Sequence, residues 1–199
     1  MLIFTAKSLI LSAVSNGWFL QFDNFLQVLL RLGFHTDLLK HLNICPATSA
    51  AAPTSSEKVE ASSADISDVI EALLEILATS TRAHADKFSA DDLVRFMSVV
   101  CFLSLDSNLI KTFRLKFPVH NALAALLDAL PPSTWQEQCS QICSHCMQMT
   151  SFHHNSVHLS SNWPTNERGQ YMQRLVSASF LRRITDGGGD VMESVGVSV

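Results

Sequence analysis

Charge is scarce in this chain. Only 16% of its 199 residues are Asp, Glu, Lys or Arg, against 47% hydrophobic, and the mean hydropathy is +0.20. A surface so thinly charged leaves apolar area facing solvent, and contiguous area of that kind marks a partner-binding face. Basic excess is missing as well. The net charge is −4, whereas nucleic-acid binders carry a clear positive surplus, so contact with DNA would have to be local. No uninterrupted apolar run reaches the roughly 18 residues that a membrane span requires. The opening MLIFTAKSLILSAVSNGWFL has no charge ahead of its apolar run, is interrupted by Lys7 and lacks a small-residue cleavage site. It therefore reads as an ordinary buried helix and not as a secretory leader. Five cysteines, an odd number, fit free thiols in a reducing compartment.

Strand patterns and phosphate loops are also lacking. There is no period-2 alternation, and the one glycine cluster, Gly187–Gly189, follows the last helical stretch instead of joining a strand to a helix. What is present is helical periodicity between breakers. Phe25, Val28, Leu29 and Leu32 recur at helical spacing up to a break at Gly33, and Ile66, Val69, Ile70, Leu73, Leu74 and Leu77 define one face of a later helix. Ser89 with Asp92 forms a variant capping box ahead of LVRFMSVVCFLSL, which is apolar nearly all round and so belongs in the middle of the domain. A basic connector with Lys111, Arg114 and Lys116 leads to an expected turn at Pro118. HNALAALLDAL then buries Leu123, Leu126, Leu127 and Leu130 before Pro131 and Pro132 stop it, and Ser133 with Gln136 offers a capping box for the next helix.

The fold class expected is all-α, an irregular helical-repeat array of HEAT-like α-solenoid type with about six to seven helices. N-terminal helices occupy residues 1–42, an Ala/Ser/Pro-rich linker or insertion 43–64, the main helical domain 65–185 and a disordered tail 186–199.

Chemistry concentrates in CSQICSHCMQMTSFHHNSVH, residues 139–158, with three cysteines and four histidines. Cys143, Cys146, His154 and His158 can be written as a zinc set, C-x2-C-x7-H-x3-H. The gap between pairs is shorter than the roughly 12 residues of zinc fingers, and the first pair sits mid-helix. Trp135, Cys139, Ile142, Cys146 and Met149 are spaced as one helix face, a core stripe in which free Cys acts as a small hydrophobe. The core reading is preferred, with no metal and no cofactor. Nothing selects one Cys/His nucleophile pair from this stretch, and no catalytic residue is assigned.

Near the end of this stretch stand His154-Asn155, followed by Pro164 and by Arg168-Gly169 leading into a Leu-rich helix, and preceded by Trp135 and Cys139. With DNFLQVLLRLGF and SADDLVRFMSVVCFLSLD upstream, this string over roughly residues 20–184 resembles the CANIN domain of the Smc five/six complex localisation factor family, subunit two and its shorter paralogue. The resemblance implies a non-enzymatic helical adaptor in the nucleus, joining Smc five/six subunits and a localisation partner through protein contacts. It brings Trp135, His154, Asn155, Pro164, Arg168 and Gly169 as motif positions with a structural role.

Elementary chemistry supplies reasons for such a role. Asn166 is a good N-cap with Glu167 in the first turn, the His154 ring and the Asn155 amide can tie down turn backbone, and Gly169 permits close approach to a neighbouring helix. In the last helix Met172, Val176, Phe180 and Ile184 face inward, leaving Arg174, Arg182 and Arg183 as the candidate partner contacts, for an acidic protein surface or a DNA backbone. A generic helical-repeat module with an unrelated partner and a zinc-stabilised module are the alternatives.

Overall fold

The computed structural model describes residues 2–34, 63–105, 115–149 and 153–191. Among these the chain is all-α, with eight α-helices, a short 3-10 turn at Ala85–Lys87 and no strand. The helices are α1 (Leu2–Ser15), α2 (Phe22–Arg31), α3 (Ser63–Ala83), α4 (Ala90–Leu103), α5 (Lys116–Ala129), α6 (Trp135–Met149), α7 (His153–Ser161) and α8 (Glu167–Val191). All but the last two residues of the linker expected over 43–64 lie outside the described residues, as do Lys111 and Arg114.

One helix exceeds the expected number, and it is α7. Of its described side chains Leu159 alone is buried, while the hydroxyls of Ser160 and Ser161 donate back to the carbonyls of Ser156 (2.8 Å) and His158 (2.9 Å). A helix with one apolar anchor leaves no periodic signal in HHNSVHLSS.

Helix ends show how the local sequence sets the elements. α1 and α2 both close on a glycine with positive φ, Gly17 at 94° and Gly33 at 86°. In each case the following amide reaches back a full turn, Trp18 N–H to the Ala13 carbonyl (3.0 Å) and Phe34 N–H to the Leu29 carbonyl (3.1 Å). These are Schellman caps, which need a left-handed residue that glycine adopts without a Cβ penalty. α4 opens as expected, with the Asp92 amide donating to Ser89 Oγ (3.1 Å) and the Ser89 hydroxyl to the Asp92 carboxylate (2.7 Å). Two other expectations fail. Pro118 lies inside the first turn of α5 and not at a turn before it, because first-turn N–H groups have no intrahelical acceptor and a proline there loses nothing. The Ser133–Gln136 box does not form; α6 begins at Trp135, so Thr134 and not Ser133 precedes it.

Packing follows from which faces are apolar. α3 and α5 lie side by side, α1 covers α3, and α4 touches α2, α5 and α6. α8 lies against α5, α6 and α7. α3 is buried more widely than its single expected face, with Ala72, Ile76 and Ala78 also covered, since it is flanked by both α1 and α5. α4 fills the centre as its all-round apolarity requires, with nine buried residues. α1 is the correction here. It sits at the surface, with Leu9 67% exposed, and Val14 is its one buried residue among the described side chains. Its segment is held by polar ties as much as by burial: the Leu20 amide donates to buried Ser80 Oγ (2.8 Å), the His84 Nε2–H donates to the Val14 carbonyl (2.8 Å), and Lys7 pairs with Glu75.

α8 departs from its expected stripe at the far end. Met172, Val176 and Phe180 are buried, but Ile184 is 47% exposed. α6 ends at Met149, and Arg183 donates to the Met147 carbonyl (2.8 Å) in its last turn, so Ile184 has already passed the edge of the neighbour. The helix also continues to Val191, through the glycines placed in the tail by sequence. Glycine weakens a helix by about 1 kcal/mol without breaking it, and Arg182 with Asp186 (3.4 Å) supports the turn before it. Residues 192–199 lie outside the described residues.

Between α4 and α6 one polar pair interrupts the apolar core. Ser98, fully buried, donates to the Val94 carbonyl (2.9 Å) and meets His145 Nδ1 at 2.7 Å. With the hydroxyl proton committed to Val94, the imidazole supplies the Nδ1–H. Burial holds the His145 pKa below its ordinary value, and His120 is lowered too, by burial first and by Lys116 second. A lowered native pKa means that the unfolded chain binds more protons on acidification, so stability is present above the ordinary histidine value of about 6.5 and is lost as pH falls toward the native values. The urea midpoint is therefore expected to be lower at pH 5 than at pH 7.5, and His145→Gln should flatten that slope. Equal slopes in the two proteins would place the pH sensitivity elsewhere.

Candidate protein-interaction site

The C-terminal third is built around one arginine. α5 ends at Ala129 and is followed by Leu130, Pro131 and Pro132. The two prolines carry no N–H, so a glycine-type cap like those of α1 and α2 is unavailable to its last carbonyls. Arg168, from the first turn of α8, supplies the missing donors. Its guanidinium donates to the carbonyls of Leu127, Asp128 (3.3 Å) and Leu130 (3.0 Å), and a cation at a helix C-terminus is favoured by the dipole as well. The same group lies over the Trp135 ring, 4.7 Å from its centroid, and Trp135 in turn meets Tyr171 at 5.7 Å.

Gly169 and Asn166 complete the corner. The Asn166 side-chain oxygen accepts from the Gly169 amide (2.8 Å), the N-cap bond expected from sequence, and its amide nitrogen donates to Asp128 (3.4 Å). The close approach at Gly169 differs from the expectation. It is to the loop leading into its own helix, not to a neighbouring helix: a Cβ there would stand 2.1 Å from the Pro164 carbonyl oxygen. Trp135, Pro164, Arg168 and Gly169 are thus brought together. Asn155 is set apart on α7, half-buried, with no side-chain hydrogen bond among the described residues, and in the turn ahead of α8 it is Asn166 that bonds the backbone. The His154 side chain lies outside the described residues.

Sequence reasoning singled out Arg168 without finding its task. The signal was present in the two prolines after α5, which require a side-chain donor from elsewhere. Lysine at this position keeps the charge but not the planar fork. Arg168→Lys is expected to lower the unfolding free energy by about 2 kcal/mol, the scale of charge-assisted hydrogen bonds lost at a half-buried site, as read from urea denaturation.

The cysteines pack as the stripe requires. Cys139, Ile142, Cys146 and Met149 are buried, with Cys143 beside them. Cys143 faces α8, its thiol donating to Ser179 Oγ (3.2 Å), while the free thiol of Cys146 is hydrogen-bonded to that of Cys101 on α4. These two thiols point toward different helices, and among the described residues no three His, Cys, Asp or Glu side chains are placed to hold a metal ion. Burial pushes the Cys139 thiol up to about 12, against the opposing pull of Arg168, and raises Cys143 as well. Cys146 is raised by its hydrogen bond with Cys101 and by burial. Thiols held protonated in this way are not activated nucleophiles.

The three candidate contact arginines do not form one patch. Arg183 is turned onto the end of α6 through the Met147 carbonyl. Arg182 is 84% exposed at its side chain and meets Asp186 one turn on. Arg174 is exposed and has no partner among the described residues.

No helix among the described residues is long and apolar enough to cross a membrane. The model of the Coiled-coil and Nse Interacting (CANIN) domain, a protein-interaction family, matches residues 25–188. No curated protein and no solved structure matches the chain. With most of α2 through most of α8 inside the match, the chain belongs to the CANIN domain family.

Proposed function

We propose that this protein is a non-enzymatic adaptor that binds Nse subunits of the Smc five/six complex, and a localisation partner, and brings the complex to damaged or stalled chromatin in the nucleus. The family match over residues 25–188 carries this reading, because the family is described by its interaction with Nse proteins. The chemistry is consistent with it: a thinly charged surface suits a protein partner, and the buried thiols are held protonated. Trp135, Pro164, Arg168 and Gly169 serve this function by fixing where α8 leaves the body of the domain.

The test is affinity purification of the tagged full chain from nuclear extract of its own organism, with bound proteins identified by mass spectrometry. Recovery of Nse or other Smc five/six subunits is the expected result. A folded chain that recovers none of them would reduce it to a helical module with an unrelated partner.

A further inference from the structure

An arginine stands three residues ahead of a serine or threonine at three places in this chain: Arg95 before Ser98, Arg174 before Ser177 and Arg182 before Thr185. At the third a second arginine, Arg183, follows directly. An arginine-directed protein kinase reads that spacing, because carboxylates in its substrate cleft take the guanidinium forks of a segment laid through it in extended form. By sequence the three hydroxyls differ little. The fold separates them.

A hydroxyl inside a helix is reached when the helix opens locally, and opening is easiest where few buried contacts oppose it. Ser98 is fully buried in the centre of the domain, with its hydroxyl engaged by the Val94 carbonyl and His145. Ser177 is half-buried, and α8 is held to α6 on either side of it, where the Cys143 thiol reaches the Leu175 carbonyl (3.9 Å) and the Ser179 hydroxyl (3.2 Å). Thr185 is exposed, as are all residues from Leu181 to Asp186. Its hydroxyl donates to the Arg182 carbonyl (2.9 Å), within its own turn of helix.

What surrounds Thr185 gives way readily. Arg182 meets Asp186 at 3.4 Å with both side chains largely in water, a contact that solvent screens and a kinase carboxylate can replace. Arg183 is tied by one hydrogen bond to the Met147 carbonyl (2.8 Å) at the end of α6. Directly after Asp186 stand Gly187, Gly188 and Gly189, each of which favours leaving the helix relative to alanine.

We infer that Thr185 is a phosphorylation site for an arginine-directed protein kinase, presented by local opening of α8 from Arg182 onward. The γ-phosphoryl group of ATP passes to Thr185 Oγ1: the new P–O bond forms as the bond to the bridging oxygen of ADP breaks, and the hydroxyl proton leaves through the kinase's base. The product carries about two negative charges, three residues on from Arg182 and next to Asp186. From Gln170 to Thr185 the unmodified chain has three arginines and no acidic residue. The free end of α8 therefore changes from basic to acidic. This inference does not depend on the adaptor reading above.

The experiment incubates the full chain with ATP and the catalytic subunit of cyclic-AMP-dependent protein kinase and follows phosphate at each residue by mass spectrometry. It compares wild type, Arg182→Ala/Arg183→Ala and Gly187→Ala/Gly188→Ala/Gly189→Ala, with circular dichroism to confirm that each keeps its helices. The expected result is a rate at Thr185 at least about ten-fold above that at Ser177, and a loss of roughly ten-fold at Thr185 in the arginine variant. The alanine variant should be slowed several-fold, because its helix end opens less often. A synthetic peptide of residues 179–191 is too short to hold a helix, so the same three alanines should change its rate by less than about two-fold. Equal rates at Ser177 and Thr185 would overturn the site, since the fold would then not select it. An alanine variant as fast as wild type would overturn opening as the route. The chain isolated from phosphatase-inhibited cells of its own organism should carry phosphate on Thr185, and its absence there would overturn the assignment whatever the purified kinase does.

Discussion

Replacing Gly169 by alanine is expected to cost about 3 kcal/mol of stability, the upper range for forcing an extra methyl into a filled site. The added carbon would stand 2.1 Å from the Pro164 carbonyl oxygen and 2.7 Å from its carbonyl carbon. Both are backbone atoms, so no side chain can rotate aside, and the loop before α8 must move. Moving it pulls Asn166 off the Gly169 amide and disturbs Arg168 on the end of α5. The melting temperature should fall by roughly 6–12 °C for a domain of this size. Gly33→Ala is the control, because Gly33 has positive φ and nothing within 4 Å of the added carbon. It should cost about 1–2 kcal/mol, from backbone strain alone. If the two substitutions prove equal, the contact at Pro164 does not hold.

Phe96→Ala should be the larger lesion at the other end of the molecule, about 3–5 kcal/mol. The Phe96 ring on α4 is fully buried and meets three others edge-on: Phe22 at 5.1 Å, Phe25 at 5.2 Å and Phe88 at 5.9 Å. Two of those rings belong to α2 and the third follows the 3-10 turn, so one side chain anchors α2 and the α3–α4 connection to the centre. Its truncation leaves a cavity and removes three aromatic contacts, each worth about 0.5–1.5 kcal/mol. Native-state hydrogen exchange in α2 should quicken more than exchange in α6. Uniform acceleration across both helices would show that α2 does not depend on this ring in particular.

The sequence was most legible where burial is one-sided and local. The stripe from Trp135 to Met149, the Ser89 and Asn166 caps and the glycine stop after α2 were all readable, because each depends on residues within one or two turns of each other. Illegibility began where a long-range partner decides the outcome. Arg168 looks like any first-turn arginine until α5 is placed beside it, 38 residues away at Leu130. Ile184 continues a good apolar stripe but outlasts the neighbour that would cover it. α1 is apolar enough to read as buried, yet it is covered from one side by α3. In α7 the serine back-bonds replace an apolar pattern, and periodicity had nothing to detect.

The ties between the N-terminal segment and α3 bear on where this domain begins as a cooperative unit. The family match opens at residue 25, but Val14, Leu20 and Phe22 are buried ahead of that point, and buried Ser80 receives the Leu20 amide. A protein cut at the edge of the match would bare the flank of α3, leave a hydroxyl there without its donor and withdraw one of the rings around Phe96. Residues that distinguish the family and residues that complete its folding unit are therefore different sets here. An expression boundary drawn from the first would sever part of the second.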